Sequence, residues 1–190
     1  VKKLSTHDIA YISLGAAFIC ICSWISIPAE IPFTLQTFGV CLVAAVLGLR
    51  GGIGAVAVYI LLGFIGAPVF SGFRGGFGVL LGTTGGYIVG FLFTAAAVGL
   101  SRRFFGMRLP ALLAGMILGV AICYAFGTAW FMLVYARTAG SIGVMTALGW
   151  CVLPYIVPDI IKIAIAAVLA RRIAPIVNKN DHEYEKERDT

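Results

Sequence analysis

The sequence predicts an all-α membrane protein of six transmembrane helices with both termini in the cytoplasm, and three observations predict it. First, 61% of its 190 residues are hydrophobic and 12% charged, with a mean hydropathy of +1.02. An ordinary soluble domain carries about 45–50% apolar and about 25% charged residues. One globular core could not hide this much apolar surface, which argues against a soluble enzyme, and the same numbers rule out disorder outside the C-terminal tail. Second, charges recur at span-length intervals: 21 uncharged residues separate Asp8 from Glu30, 19 separate Glu30 from Arg50, and 28 separate Arg108 from Arg137. A spanning helix needs about 20 apolar residues at about 1.5 Å rise each. Third, basic residues gather on one side of the spans so defined.

The first span is Ile9–Ile27, between Asp8 and Glu30; its apolar part is too long for a cleaved signal peptide, so it is expected to stay. Thr34–Leu49 and Gly52–Gly66 follow on either side of Arg50. Gly85–Leu100 ends at Arg102 and Arg103, and Leu109–Tyr135 runs between Arg108 and Arg137. Ser141–Trp150 is short and followed by Pro154 and Pro158, so it reads as an interfacial or re-entrant segment, with a seventh span as the competing count; the last span is Leu153–Ile173. Inner ends then carry Lys2, Lys3, Arg50, Arg102, Arg103, Arg108, Arg171 and Arg172, while outer loops carry Arg74 and Arg137. The net charge of +6 thus reflects orientation against anionic lipid rather than nucleic-acid binding. Residues 1–175 form a single integral-membrane substrate-binding domain, and 176–190 a polar cytoplasmic tail expected to be disordered.

Chemistry is limited by what the spans lack. The histidines, His7 and His182, lie outside them, so no intramembrane zinc motif forms. Asp159 is the single carboxylate within a span, which excludes a paired-aspartate protease. No serine has a histidine at membrane depth, and no phosphate-binding G-x-x-x-x-G-K-[ST] loop occurs. The five cysteines sit in apolar segments at spacings that suit neither redox nor zinc chemistry. The chain reads as a binder or carrier without a cofactor, not an enzyme.

Asp159 and Lys162 carry the most information, because each ionisable group at the centre of a span costs about 2.5–3.5 kcal/mol on insertion scales. At i, i+3 they share a helix face, which Tyr155 joins four residues earlier. The plain alternative is a self-neutralising pair that only holds the last helix in place. Ala67–Thr84 is glycine-rich, with Arg74 before the pair Gly75 and Gly76, and with Phe70, Phe73 and Phe77 as apolar cover. It reads as a lid over an outward-facing pocket, or as a flexible hairpin without a ligand. Gly82, Gly86 and Gly90, and Gly115 with Gly119, favour close helix packing. Ser13, Ala16, Ala17 and Cys20 give the first span a smooth stripe, for internal packing or for docking a second membrane protein. Gln36, Tyr87, Trp130, Asp159 and Lys162 all fall near outer ends, below Arg74, in the pattern of a ligand pocket.

IPFTLQTFGV (31–40), PVFSGFRGGFGVLLGTTGGYIVGF (68–91), FGTAW (126–130) and VPDIIK (157–162) resemble the biotin-specific S component, the BioY family of energy-coupling factor transporters, from the first span through Ile173. The resemblance implies an S-component-like six-helix bundle in a bacterial or archaeal plasma membrane that captures biotin outside the cell. It also implies partners: a transmembrane coupling protein and two cytoplasmic ABC-type ATPases. Family binding residues fall on Asp159 and Lys162, and on Arg74, where related sequences can carry a small polar residue such as asparagine. Ser13 and Ala17 match an A-x-x-x-A partner-docking signature with serine for the first alanine, and GTTGG lacks a familiar proline. An S component for another small vitamin, or a solitary ion-coupled carrier, are the rival readings; no internal repeat favours the latter.

Overall fold

The computed structural model describes residues 5–29 and 31–188, with side chains as far as Val177. Lys2, Lys3 and the tail side chains from residue 178 lie outside that description, while the backbone of the tail expected to be disordered is described as far as Arg188 as a continuation of α7. The elements are α1 (Thr6–Trp24), β1 (Ser26–Ile27), β2 (Phe33–Thr34), α2 (Gln36–Phe64), α3 (Phe77–Leu81), α4 (Gly85–Phe105), α5 (Leu109–Thr138), α6 (Val144–Cys151) and α7 (Leu153–Arg188). Among the described residues, five helices (α1, α2, α4, α5 and α7) are long and apolar enough to cross a membrane.

α1 begins at Thr6, earlier than the apolar run predicts, because Ser5 and Asp8 form a capping box. Asp8 N–H donates to Ser5 Oγ at 3.2 Å and Ser5 N–H donates to Asp8 Oδ2 at 2.8 Å, satisfying two otherwise unpaired donors. It ends at Trp24, where the chain leaves the helix to pair β1 antiparallel with β2, Ser26 opposite Thr34 and Ile27 opposite Phe33. Ile27 and Thr34, expected at span ends, are therefore strand residues.

The continuous appearance of α2 conceals a sharp reversal. Gly48 has φ 73° and ψ −167°, a conformation that is essentially glycine-only. Gln36 Nε2 reaches Tyr59 Oη at 2.5 Å, although a straight helix would hold residues so spaced about 35 Å apart at about 1.5 Å each. A Cβ on Gly52 would lie 2.7 Å from Ala44 Cα, so the two legs run antiparallel with backbones nearly touching. Arg102 of α4 closes the break: its Nη1 donates to the carbonyls of Ala45, at 2.8 Å, and Val46, which the bend deprives of helical partners.

α2 is central, packed against α1, α4 and α7, while α5 lies along α4 and touches α7. A Cβ on Gly15 of α1 would meet Val43 at 2.9 Å and Ala55 at 3.1 Å, one from each leg. The α4–α5 seam depends on small residues: a Cβ on Gly90 would meet Cys123 Sγ at 2.8 Å, and one on Gly119 would meet Thr94 Cα at 2.9 Å. Gly82, which the four-residue spacing places on that helix, lies outside it as the C-cap of α3. Leu14, Ile117, Leu118, Leu133 and Ile160 point outward, as a lipid-facing surface requires. The expected interfacial segment is the short helix α6.

Candidate ligand-binding site

A cavity of about 750 Å³, open mouth included, lies between α2, α4, α5 and α7 at the end of the bundle that carries the β1–β2 hairpin. On α7, three-to-four-residue spacing places Tyr155, Asp159 and Lys162 on its wall. Asp159 and Lys162 are 4% and 7% exposed, and Lys162 Nζ lies 2.8 Å from Asp159 Oδ1, so the pair is buried as a neutral unit.

Its remaining valences are largely matched. Lys162 donates to the Thr34 carbonyl at 2.7 Å and sits 4.4 Å from the centre of the Phe33 ring, a cation–π contact. Asp159 Oδ2 accepts from Tyr124 of α5 at 2.5 Å. Tyr155 donates to the Ile31 carbonyl and stacks on Phe33 at 5.7 Å, so the hairpin is clasped to α7 by ring and hydroxyl together. On α2, Gln36 donates to Tyr59, and Tyr59 to Ser23 at 3.3 Å, while Thr34 Oγ1 donates to Gln36 Oε1 at 2.9 Å. Tyr87 of α4 and Thr128 of α5 hydrogen-bond each other at 2.8 Å.

The loop between α2 and α4 covers the cavity. Its N–H at Phe70 donates to the Arg74 carbonyl at 2.9 Å, closing a tight turn that passes through Phe73 at φ 56°. Phe70 is buried against Tyr59, ring centres 5.5 Å apart, in space that only a glycine at 63 leaves open. The turn is anchored to α1, where Trp24 Nε1 donates to the Pro68 carbonyl at 2.8 Å and the indole stacks on Phe73 at 5.3 Å. Phe77 packs on Phe64 at 5.4 Å, so Phe70 is the one phenylalanine of the three that lines the cavity. Arg74 lies exposed at the mouth, its Nε donating to the Ser71 carbonyl at 3.1 Å.

Of the residues singled out from sequence, Gln36, Arg74, Tyr87, Tyr155, Asp159 and Lys162 line this cavity; Gly75, Gly76 and Trp130 do not. Trp130 lies against Gly86 and donates from Nε1 to the Gly82 carbonyl at 2.9 Å, bracing the loop from behind. Gly75 packs on the Ala67 carbonyl, and Gly76 N–H donates to the Gly63 carbonyl at 2.7 Å. Tyr124, Thr34 and Thr37 line the cavity and were not singled out. Tyr124 offered a signal, a phenol in the middle of a long apolar span. Ser13 and Ala17 are exposed on α1, whereas Ala16 and Cys20 are buried against the bundle, so the four do not form one outward stripe. Among the described residues, no group of three His, Cys, Asp or Glu is placed to hold a metal ion.

The family model described as the BioY family matches residues 1–179. The chain is 41% identical over 165 residues to the biotin transporter BioY of Thermotoga maritima, covering 83% of this chain and 89% of that protein. It is 34% identical over 171 residues to the probable biotin transporter BioY of Pyrococcus horikoshii, covering 90% and 98%. The fold is similar to a crystal structure of the S-component for biotin from an ECF-type ABC transporter, with a TM-score of 0.79 at 27% identity over 90% of this chain and 94% of that one.

Proposed function

This chain belongs to the BioY family, and from that premise we propose that it is the membrane subunit that captures biotin for an energy-coupling factor transporter, with Asp159 and Lys162 as its principal contacts. The single observation that carries the site assignment is the buried Asp159–Lys162 pair on the wall of the cavity between α2, α4, α5 and α7. Biotin presents two ureido N–H donors, a ureido carbonyl, an apolar thiolane and a carboxylate. Asp159 is suited to accept from the ureido N–H groups, and Lys162 to donate to a carbonyl or carboxylate oxygen. Tyr87, Tyr155 and Phe70 supply the apolar enclosure, Gln36 a further polar group, and Arg74 a cation at the mouth. Gly75, Gly76 and Trp130 act by shaping and bracing the loop.

Residues 1–175 then form one membrane-embedded binding domain, and 176–190 a cytoplasmic tail. The two legs of α2 each serve as a span, giving six, with both termini cytoplasmic and the cavity facing outward. The charge bias supports this orientation. The setting is a bacterial or archaeal plasma membrane, in keeping with the bacterial and archaeal relatives. Partners are a transmembrane coupling protein and two cytoplasmic ABC-type ATPases, which supply the ATP hydrolysis for which this sequence has no phosphate-binding loop. Exposed Ser13 and Ala17 offer α1 a small-residue face for the coupling protein.

Calorimetric titration of the purified chain with biotin and with other small vitamins tests the reading. Saturable 1:1 binding of biotin alone is expected. Saturable binding of a different vitamin, with none of biotin, would overturn the ligand. Biotin uptake undiminished in cells lacking the ATPases would favour the solitary carrier.

A further inference from the structure

Tyr59 stands on the second leg of α2, fully buried and outside the lining of the cavity, yet its hydrogen bonds lead there. A phenol hydroxyl taken out of water costs free energy unless it finds hydrogen-bond partners. Tyr59 has two: Ser23 Oγ of α1 accepts from it at 3.3 Å, and Gln36 Nε2 donates to it at 2.5 Å. The Gly48 bend makes the second contact possible by folding one leg of α2 back on the other. On the opposite side of the amide, Gln36 Oε1 accepts from Thr34 Oγ1 at 2.9 Å, and Thr34 Oγ1 in turn accepts from the Gln36 backbone N–H at 3.2 Å. The Thr34 carbonyl takes Lys162 Nζ at 2.7 Å, so the residue that fixes the amide also fixes the ammonium.

We propose, on the basis that this cavity holds biotin, that Tyr59 and Thr34 are positioning residues that clamp the Gln36 amide for the ligand. A carboxamide has two N–H donors and two oxygen lone pairs. The clamp uses one donor and one lone pair and leaves one of each on a side chain that lines the cavity. A donor beside an acceptor complements a ureido group, whose carbonyl and N–H call for one of each. An unclamped glutamine would surrender rotamer freedom when ligand binds, whereas the clamped one has surrendered it on folding. Packing alone does not account for the hydroxyl. The Tyr59 ring already meets Phe70 edge-on at 5.5 Å, and a phenylalanine would keep that contact without burying a polar group.

The test is a double-mutant cycle on the full chain in detergent, read by calorimetric titration with biotin and by thermal melting. Tyr59→Phe keeps the ring and removes the hydroxyl, and should weaken biotin binding about threefold to tenfold, the scale of one net hydrogen bond. Gln36→Ala should weaken it at least as much. The two combined should bind within about twofold of Gln36→Ala alone, because a clamp has no effect once the clamped group is gone. A hydroxyl that serves packing only predicts instead that the two losses multiply. Thr34→Val, which keeps the carbonyl that holds Lys162, should give the same pattern with Gln36→Ala and decides the matter if Tyr59→Phe folds poorly. Losses that multiply, or biotin affinity unchanged in Tyr59→Phe or in Gln36→Ala, would overturn the clamp. Binding of another vitamin and none of biotin by the unaltered chain would overturn the ligand instead, and the same cycle with that vitamin would then decide the role of Tyr59.

Discussion

Tyr124 of α5 donates its hydroxyl proton to Asp159 Oδ2 of α7 across 2.5 Å, while Lys162 occupies Oδ1 at 2.8 Å. The carboxylate is thus gripped at each oxygen by a different helix face, and its plane is fixed before any ligand arrives. Each oxygen retains a lone pair, so a ligand N–H meets a pre-oriented acceptor rather than one that must be ordered on binding.

Tyr124→Phe isolates that contribution. The ring and cavity shape remain, but Asp159 loses its neutral donor. A hydrogen bond to a charged group contributes about 1.5–3 kcal/mol, so biotin affinity should fall about tenfold to a hundredfold. Calorimetry measures the loss, and circular dichroism melting should show a folded protein. Unchanged affinity would make the contact a packing feature of α5 against α7.

That Asp159 and Lys162 stand together on the cavity wall was legible because ionisable groups are expensive inside a span, whatever the fold around them. Tyr124 was not, since hydropathy cannot separate a phenol aimed into a cavity from one that packs against a neighbour. For a related reason, the position of Trp130 near a helix end did not reveal that its N–H is taken by the Gly82 carbonyl, away from the cavity lining. Apolar segments on both sides of Arg50 were readable from charge spacing, but the turning point was not. Three glycines, Gly48, Gly51 and Gly52, stand there, and tertiary packing decides among them. Gly48 takes the non-helical angles, while Gly52 stays helical where Ala44 leaves no room for a side chain. The start of α1 rested on a local hydrogen-bonded cap, which a count of apolar residues does not register.

The loop anchor on α1 should govern how long biotin stays. Trp24→Phe keeps an aromatic ring against Phe73 but removes the donor to the Pro68 carbonyl, so dissociation should quicken about fivefold on the scale of one net hydrogen bond. Trp24→Ala removes the stack as well and should quicken it further. Chase experiments with labelled biotin measure both rates. An unaltered rate in Trp24→Ala would show that the loop opens without breaking this anchor.

Orientation is open to direct chemical test. Cysteine placed at Arg74 or Arg137 should react with a membrane-impermeant maleimide in sealed cells, and cysteine at Arg103 should react only after permeabilisation. All five native cysteines are buried, so background labelling should be low. Reaction at Arg103 in sealed cells would invert the topology and turn the Asp159 cavity toward the cytoplasm.

Asp159→Asn and Lys162→Met should each fail in two ways at once. Asp159→Asn leaves the Lys162 ammonium with the Thr34 carbonyl and the Phe33 ring but no counter-charge, and Lys162→Met leaves the carboxylate with Tyr124 alone. Breaking a buried pair by removing one partner costs about 3–5 kcal/mol, so each single variant should melt lower as well as lose biotin. The double variant carries no unpaired buried charge and should recover much of the lost melting temperature. A pair that contacts ligand cannot be replaced by restored packing, so the recovered double variant should still fail to bind. A pair that only secures α7 predicts the reverse, a stable double variant that binds biotin normally. Melting curves and biotin titrations of all three variants in detergent separate the two, and normal binding by the double variant would remove Asp159 and Lys162 from the site.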